Sequence, residues 1–334
     1  MNLLFSCIGK RGYIASYFRP HLTSGDRLVG TSNTKWTPGF CACDAAYIMP
    51  NLDSAEYHEA VLNLCDQESI NGILTFLDPD IVRLAEIKPQ LLDQGTIPII
   101  PDLETAQVCF DKYETFKFLK ANGFQTPESF VHIEEARQSV EKGDLTFPLI
   151  VKPRSGFGSR ATFVARNDAE LEVFFNYEPG MLIQEFIDGD AFDFDILGDL
   201  NGQPVSVVLW RKLRSTQGET EHVITCKDST LLELGVRLGE CLKHIGPMDV
   251  DLFVNDRGVF VLEMNPRFGG GYPVSQLAGA DFPGLILKML NGESLTSQIG
   301  NYQDDVVMIK TIDARGGPQE KFWTETMKIA NLKQ

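Results

Sequence analysis

Apolar residues in the first hundred positions fall into short runs separated by stretches of helical spacing. Asn2 to Ile8, Arg27 to Thr31, Gly72 to Phe76 and Ile97 to Ile100 read as strands. Tyr13 to Phe18, Ser54 to Cys65 and Asp80 to Ile87 read as helices between them. Strand and helix in alternation predict a parallel sheet with helices on its faces.

After Pro101 the pattern changes. Leu103 to Cys109 precedes a helix over Lys112 to Ala121, which Asn122-Gly123 stops in the manner of a helix C-terminus. A strand at Phe147 to Pro153 follows, then the loop 154–162, a helix at Asp168 to Phe175 and a strand at Met181 to Phe186. From the alternating section Phe192 to Trp210 onward, antiparallel strands dominate. The helix Ser229 to His244 carries Leu231, Leu232, Gly235, Leu238 and Leu242 as a core-facing stripe. No internal repeat or low-complexity segment interrupts this order.

At 334 residues the chain is long enough for two or three domains with sizeable cores. Its 30 Lys and Arg against 46 Asp and Glu give a net charge of −16, which argues against nucleic acid or an anionic membrane as partner. Any phosphate must be met by a few local cations. Leu3 to Ile8 is short, lacks preceding basic residues and reads as a first strand rather than a signal peptide. Seven cysteines without a Cys-x-x-Cys pair suit a reducing cytoplasm, and Cys41 and Cys43 read as thiols packed in the protein before they read as zinc ligands. The turn Gly9-Lys-Arg-Gly12 lacks dinucleotide-binding spacing and reads as a plain strand-to-helix turn.

Candidate chemistry gathers at Val261-Leu-Glu-Met-Asn-Pro-Arg-Phe-Gly-Gly-Gly271. Residues 248–264 read as a hairpin around Asn255-Asp-Arg-Gly258, with Asp249 and Asp251 on one face and Val250, Leu252 and Val254 on the other. If the strands pair so that these faces coincide, Asp251, Glu263 and Asn265 converge as hard oxygen donors suited to Mg²⁺. Arg267 could reach phosphates on such an ion, and the three glycines would let the chain pass close to an acceptor. Solvated charges at a sheet edge are the plainer reading. Lys152, inside the apolar run Leu149-Ile-Val-Lys-Pro, needs an anion, and Gly156, Gly158 and Ser159 just beyond it could bring N–H groups and a hydroxyl to phosphate. Leu182-Ile-Gln-Glu-Phe-Ile-Asp-Gly189 could serve an adenine edge or act as a linker between domains.

Taken in order, Asp111-Lys112 opening a helix, Leu149 to Pro153 with its glycine loop, Gln184 to Gly189, and Glu263-Met-Asn-Pro-Arg267 after Asp251 resemble the ATP-grasp superfamily. Within it the chain resembles stand-alone relatives of the carbamoyl-phosphate synthase large subunit and biotin carboxylase. The resemblance implies a fold that is α/β and α+β. A Rossmann-like N-terminal parallel-sheet domain (1–104) would precede a nucleotide-binding subdomain (105–190) and a subdomain with metal and catalytic residues (191–334).

It also implies roles. Lys112, Lys152 and Ser159 would contact ATP phosphates; Glu185 with the backbone of Phe186 and Ile187 would bind adenine. Asp251, Glu263 and Asn265 would hold one or two Mg²⁺ or Mn²⁺ ions, while Arg267 and Lys212 would act on the transferring phosphoryl group. Arg214 is a weaker carry-over. Ala191 stands near the point where relatives have a ribose-binding Glu, so Asp190 or Asp193 would substitute. Ala161 replaces a further loop glycine. The implied reaction is carboxylate–amine ligation through an acylphosphate on a small, amino-acid-like substrate, in a cytoplasmic homodimer. Bicarbonate or carbamate phosphorylation, and a non-catalytic nucleotide-binding regulator, are the alternatives.

Overall fold

The computed structural model describes residues 1–330 other than 157, 159, 217 and 218. The first apolar runs become β1 (Asn2–Ser6), β2 (Arg27–Ser32), β3 (Ala45–Ile48), β4 (Gly72–Thr75) and β5 (Ile97–Pro98). They pair in parallel in the order β3-β2-β1-β4-β5. Both faces are covered: Leu3 and Phe5 enter a core with Ile14 and Phe18, while Leu4 on the other face packs with Tyr57 and Leu64.

The covering helices are α1 (Gly12–Ser16), α2 (Tyr57–Gln67), α3 (Asp78–Glu86) and α4 (Lys88–Asp93). Helix α3 starts two residues before its apolar stripe because Pro79 suits a first helical turn. Strand β3, absent from the sequence reading, is only four residues long and begins with two alanines.

The next segment contains α5 (Leu103–Phe110), α6 (Lys112–Ala121), β6 (Ser129–Phe130), α7 (Ile133–Lys142), β7 (Leu149–Pro153), β8 (Phe163–Ala165), α8 (Asp168–Phe175) and β9 (Met181–Glu185). Asp111 caps α6, its Oδ1 accepting from Tyr113 N at 2.9 Å and Glu114 N at 3.3 Å. Four strands form a small antiparallel sheet, β6-β9-β7-β8. Leu149, Val151 and Ile183 point into its core with Ala136 and Leu171. Period-two alternation therefore turns Ile150, Lys152 and Gln184 to the opposite face. Helices α5 and α6 instead place Val108 and Leu119 in the core of the following sheet.

That sheet consists of β10 (Asp190–Gly198), β11 (Pro204–Thr216), β12 (Glu219–Thr225), β13 (Gly246–Asn255), β14 (Gly258–Asn265) and β15 (Val307–Ile309). Its antiparallel order is β14-β13-β10-β11-β12-β15. The alternating section 192–210 resolves into the β10–β11 hairpin. Helix α9 (Ser229–Leu242) covers one face with Leu231, Leu238 and Leu242 over Phe194, Ile196, Val250 and Leu252. A Cβ on Gly235 would stand 2.8 Å from Val207 Cγ1, so its bareness lets α9 lie close.

Helices α10 (Pro273–Leu277) and α11 (Phe282–Leu290) follow β14. Phe268, Tyr272 and Phe282 join the core that contains Phe5 and Phe18, tying the first and last sheets together. Strand β16 (Ile329–Ala330) pairs in parallel with β3, so the end of the segment 191–334 returns to the first sheet. Among the described residues, no helix is long and apolar enough to cross a membrane.

Candidate active site

Sheet register builds the acidic part of the site. Asp193 on β10 lies opposite Asp251 on β13, which lies opposite Glu263 on β14. One step along, Asp195, Asp249 and Asn265 form a second cross-strand row. Between them Phe194, Val250 and Met264 point the other way, into the core under α9. The pairing sets Asp251 opposite Glu263 with Asn265 one pair along, and Asn265 Nδ2 stands 3.4 Å from Asp251 Oδ2. Asp193 and Asp195 enlarge the group. The signal for them was the same Asp-x-Asp alternation that marks Asp249 and Asp251.

A register shift after Asp251 gives β14 one residue more than β13 at this point. The bulge changes what strict alternation would produce, for Leu262 and Glu263, adjacent in sequence, both line one cavity. Phe253 lines it as well.

The cavity has a volume of about 910 Å³ and lies between the small sheet and the antiparallel sheet. Ile150, Lys152, Gln184 and Glu185 form one wall, and Lys112 and Gly156 stand at its end. Lys152 is buried, and its Nζ reaches across to Glu263 Oε1 at 2.7 Å. The anion expected for Lys152 is thus an internal carboxylate. Lys112 Nζ donates to Gly156 O at 2.9 Å. Burial by itself would raise the Glu263 pKa, but the Lys152 and Lys112 ammoniums reverse this and hold it at about 2. Lys112 is lowered by its burial and by Lys152, against the pull of Glu263.

Lys212, on β11, bridges the acidic rows. Its Nζ stands 2.8 Å from Asp193 Oδ1 and 2.5 Å from Asp251 Oδ1. Asp193 is buried, and desolvation followed by the Asp251 charge pushes its pKa well up. Asp195, also buried, accepts from Trp210 Nε1 at 2.8 Å and Ser275 Oγ at 2.5 Å. Its pKa is raised to about 7, first by burial and then by Asp249 opposite.

Arg267 is clamped. Its Nε lies 3.1 Å from Asp78 Oδ1, at the start of α3, and its Nη1 lies 2.9 Å from Asp249 Oδ2. Burial opposes its charge, yet the two carboxylates raise its pKa above the ordinary arginine value. Asp78 was not legible as part of the site, since 189 residues separate the pair.

The glycines differ from expectation. A Cβ on Gly269 would meet Asp249 Oδ1 at 2.3 Å, and one on Gly271 would meet Trp210 Cη2 at 2.2 Å. Those two positions are bare because the protein's own side chains occupy the space. Gly270 alone of the three is near a flexible group, Lys310 Nζ at 3.4 Å from the added atom.

Other expected positions are distributed as follows. Glu185, Phe186 and Ile187 line the cavity, with Glu185 Oε1 2.6 Å from Arg257 Nη1. Asp190 is exposed at the start of β10 and is not among the lining residues; Asp193 is engaged by Lys212 and does not line the cavity either. Arg214 is exposed and pairs with Glu221 at 3.4 Å. Ser159 lies outside the described residues. Cys43 is buried and Cys41 partly so, both as free thiols. Among the described residues no three His, Cys, Asp or Glu side chains are arranged to hold a metal by themselves.

Residues 109–271 match the family model of the ATP-grasp domain, and residues 3–100 match the PylC-like N-terminal domain. The chain is 25% identical over 264 residues to the carbamoyl phosphate synthase large chain of Thermotoga neapolitana, covering 73% of this chain and 24% of the relative. With the arginine-specific large chain of Bacillus subtilis it shares 20% identity over 300 residues, covering 81% of this chain and 28% of that one. The chain therefore spans about a quarter of the length of these curated relatives. Among solved structures, the N5-carboxyaminoimidazole synthetase of Staphylococcus aureus complexed with ADP superposes with a TM-score of 0.73 at 15% identity, covering 93% of this chain and 82% of that one. Two consecutive domain matches, with the ordered motifs falling inside the second, give the chain an ATP-grasp domain over residues 109–271 behind a PylC-like N-terminal domain over residues 3–100.

Proposed function

We propose that this chain is an ATP-dependent ligase that activates a small-molecule carboxylate by phosphorylation and joins it to an amine. The observation that carries the reading is the cavity in which Lys112 and Lys152 face Glu263 across two sheets, with Asp251 opposite Glu263 in the strand register and Asn265 and Arg267 next along the chain. Its volume of about 910 Å³ accommodates a nucleotide. Apolar Leu262, Phe253 and Ile150 would pack on the base, and the end of β9 from Glu185 to Ile187 would offer it polar groups.

The donor set fits a divalent cation. Two carboxylates and an amide stand on adjacent strands, and the carboxylates are held by flexible ammoniums. Mg²⁺ commonly completes its six oxygens with water and phosphate, so two protein carboxylates suffice. When bound, the ion would draw charge from the phosphate oxygens. Lys152 and Lys112 would turn from Glu263 and Gly156 to those oxygens, while Arg267, fixed by Asp78 and Asp249, would meet the charge on the transferring group.

In the proposed reaction a carboxylate oxygen attacks the γ-phosphorus as the bond to the ADP oxygen breaks. The amine nitrogen then attacks the acyl carbon, phosphate leaves and the nitrogen gives up a proton. No protein nucleophile is required. Incubation of the purified chain with ATP, Mg²⁺ and paired panels of amino acids and carboxylates tests this by ADP release. Nucleotide binding without ADP release from any pair would count against ligation. A second reading, bicarbonate phosphorylation, draws support from the carbamoyl phosphate synthase relatives. Bicarbonate-stimulated ADP release with no amino acid present would favour it.

A further inference from the structure

The strand order β3-β2-β1-β4-β5 reverses its winding between β1 and β4. In open α/β sheets the crevice beyond the carboxyl ends of two such strands is where ligands are received. Here the turn 9–12 follows β1 and residues 76–78 follow β4, so Arg11 and Asp78 flank the crevice from either side. Loop 267–270 of the last domain lies against both.

Arg11 Nη1 donates to the carbonyl of Phe268, and Arg267 Nη1 approaches the same oxygen at 3.4 Å. Two guanidiniums therefore share one neutral acceptor. The neighbouring carboxylates, Asp78 and Asp249, are both committed to Arg267. Among the described residues none lies within ion-pairing distance of Arg11, whose guanidinium has five N–H donors to satisfy. Burial, then repulsion from Arg267, lower the Arg11 pKa to about 10 in spite of Tyr13, Asp78 and Asp249. Lys310, which follows β15, holds its ammonium beside Gly270 of this loop. Cations from the first and last domains thus bracket one turn of a chain whose net charge is −16.

We propose that this crevice receives the acceptor and that Arg11 and Lys310 bind an anionic group on it, a carboxylate or a phosphate distinct from the group being activated. The proposal rests on the ligase reading for its placing of phosphoryl transfer at Arg267. A planar fork of donors matches either anion bidentately, whereas the lone carbonyl uses one donor. Gly270 keeps the approach to Lys310 free of a side chain. The acceptor class that follows is a small molecule with an anion away from its reacting atom, such as an amino acid or a phosphomonoester. Simple uncharged amines are excluded.

Titration calorimetry of inorganic phosphate and, separately, succinate into the full chain saturated with Mg²⁺ and a non-hydrolysable ATP analogue tests the site. Saturable binding of at least one probe is expected, weakened by ~10-fold or more in Arg11→Gln and in Lys310→Gln, equal to at least about 1.4 kcal/mol. Nucleotide affinity should stay within about twofold of wild type, a change under about 0.5 kcal/mol, which also verifies that the variants fold. Arg11→Lys should bind the anion between wild type and Arg11→Gln, because it keeps the charge and loses the fork. Tighter phosphate than succinate identifies a phosphomonoester, and the reverse a carboxylate. No anion binding by wild type, or equal binding by the glutamine variants, overturns the proposal. The titrations are repeated without nucleotide, so a chain that binds no ATP analogue refutes the ligase reading while the Arg11 comparison still decides the anion site.

Discussion

Lys152 on β7 and Glu263 on β14 meet at 2.7 Å across the cavity, joining two sheets that are otherwise separate hydrogen-bonded units. This pair puts a carboxylate held at about pKa 2 where a cation and phosphates would enter. Replacing Glu263 with Ala should reduce ADP release by ~10²–10³-fold, the scale of losing one preorganised electrostatic partner. The thermal midpoint should fall as well, because the truncation leaves the buried Lys152 ammonium without its carboxylate. Wild-type turnover in Glu263→Ala would remove the metal assignment.

Asp78 contacts Arg267, and neither lines the cavity between the two sheets. Asp78→Asn should therefore act through the orientation of Arg267, lowering kcat by ~10-fold or more with nucleotide affinity unchanged. Single-turnover ADP formation and equilibrium binding of an ATP analogue separate the two quantities. Weakened binding with unchanged turnover would refute the clamp as a positioning device.

Gly271→Ala forces a methyl carbon to 2.2 Å from Trp210, a fully buried side chain whose indole N–H is already fixed on Asp195. Overpacking of this kind costs about 1–3 kcal/mol. Gly25→Ala, where an added Cβ meets nothing within 4 Å, should change stability by less than about 0.5 kcal/mol. Urea unfolding of both variants makes the comparison; equal midpoints would contradict the packing argument.

His244 is fully buried, and desolvation lowers its pKa to about 4 in spite of the nearby backbone of Ile196 and Gly246. The unfolded chain takes up a proton near the ordinary value of about 6.5 while the folded chain stays neutral. Its contribution to stability is therefore full above pH 6.5 and is lost as pH falls from there towards 4. Between pH 8 and pH 5 the loss is about 2 kcal/mol. In His244→Gln the stability difference between those two pH values should shrink by that amount. An unchanged difference in chemical denaturation would show that His244 does not titrate on unfolding.

Much of the fold was legible because it depends on local periodicity. The helices at Lys112–Ala121 and Asp168–Phe175 have the expected bounds, each opened by a side-chain cap, Asp111 or Asn167. The hairpin 246–265 was equally legible, since alternating Asp and aliphatic residues around Asn255-Asp-Arg-Gly258 can pair in few ways. Strand β16 was not, because two residues carry no period and their partner β3 lies nearly three hundred positions away.

For the site, the sequence by itself determined which side chains of one strand share a face, Asp249 with Asp251 and Glu263 with Asn265, while bringing the two pairs together depended on the register of the strands. It also determined that Lys152, set in an apolar strand, must find an anion. Only the tertiary structure decided that this anion is Glu263, that a bulge brings Leu262 round beside it, and that Asp78 from the first domain holds Arg267. It likewise decided that Gly269 and Gly271 are bare for Asp249 and Trp210. The physical reason is range: side-chain direction follows from backbone geometry over a few residues, whereas the partner of a buried charge is chosen by the packing of whole sheets.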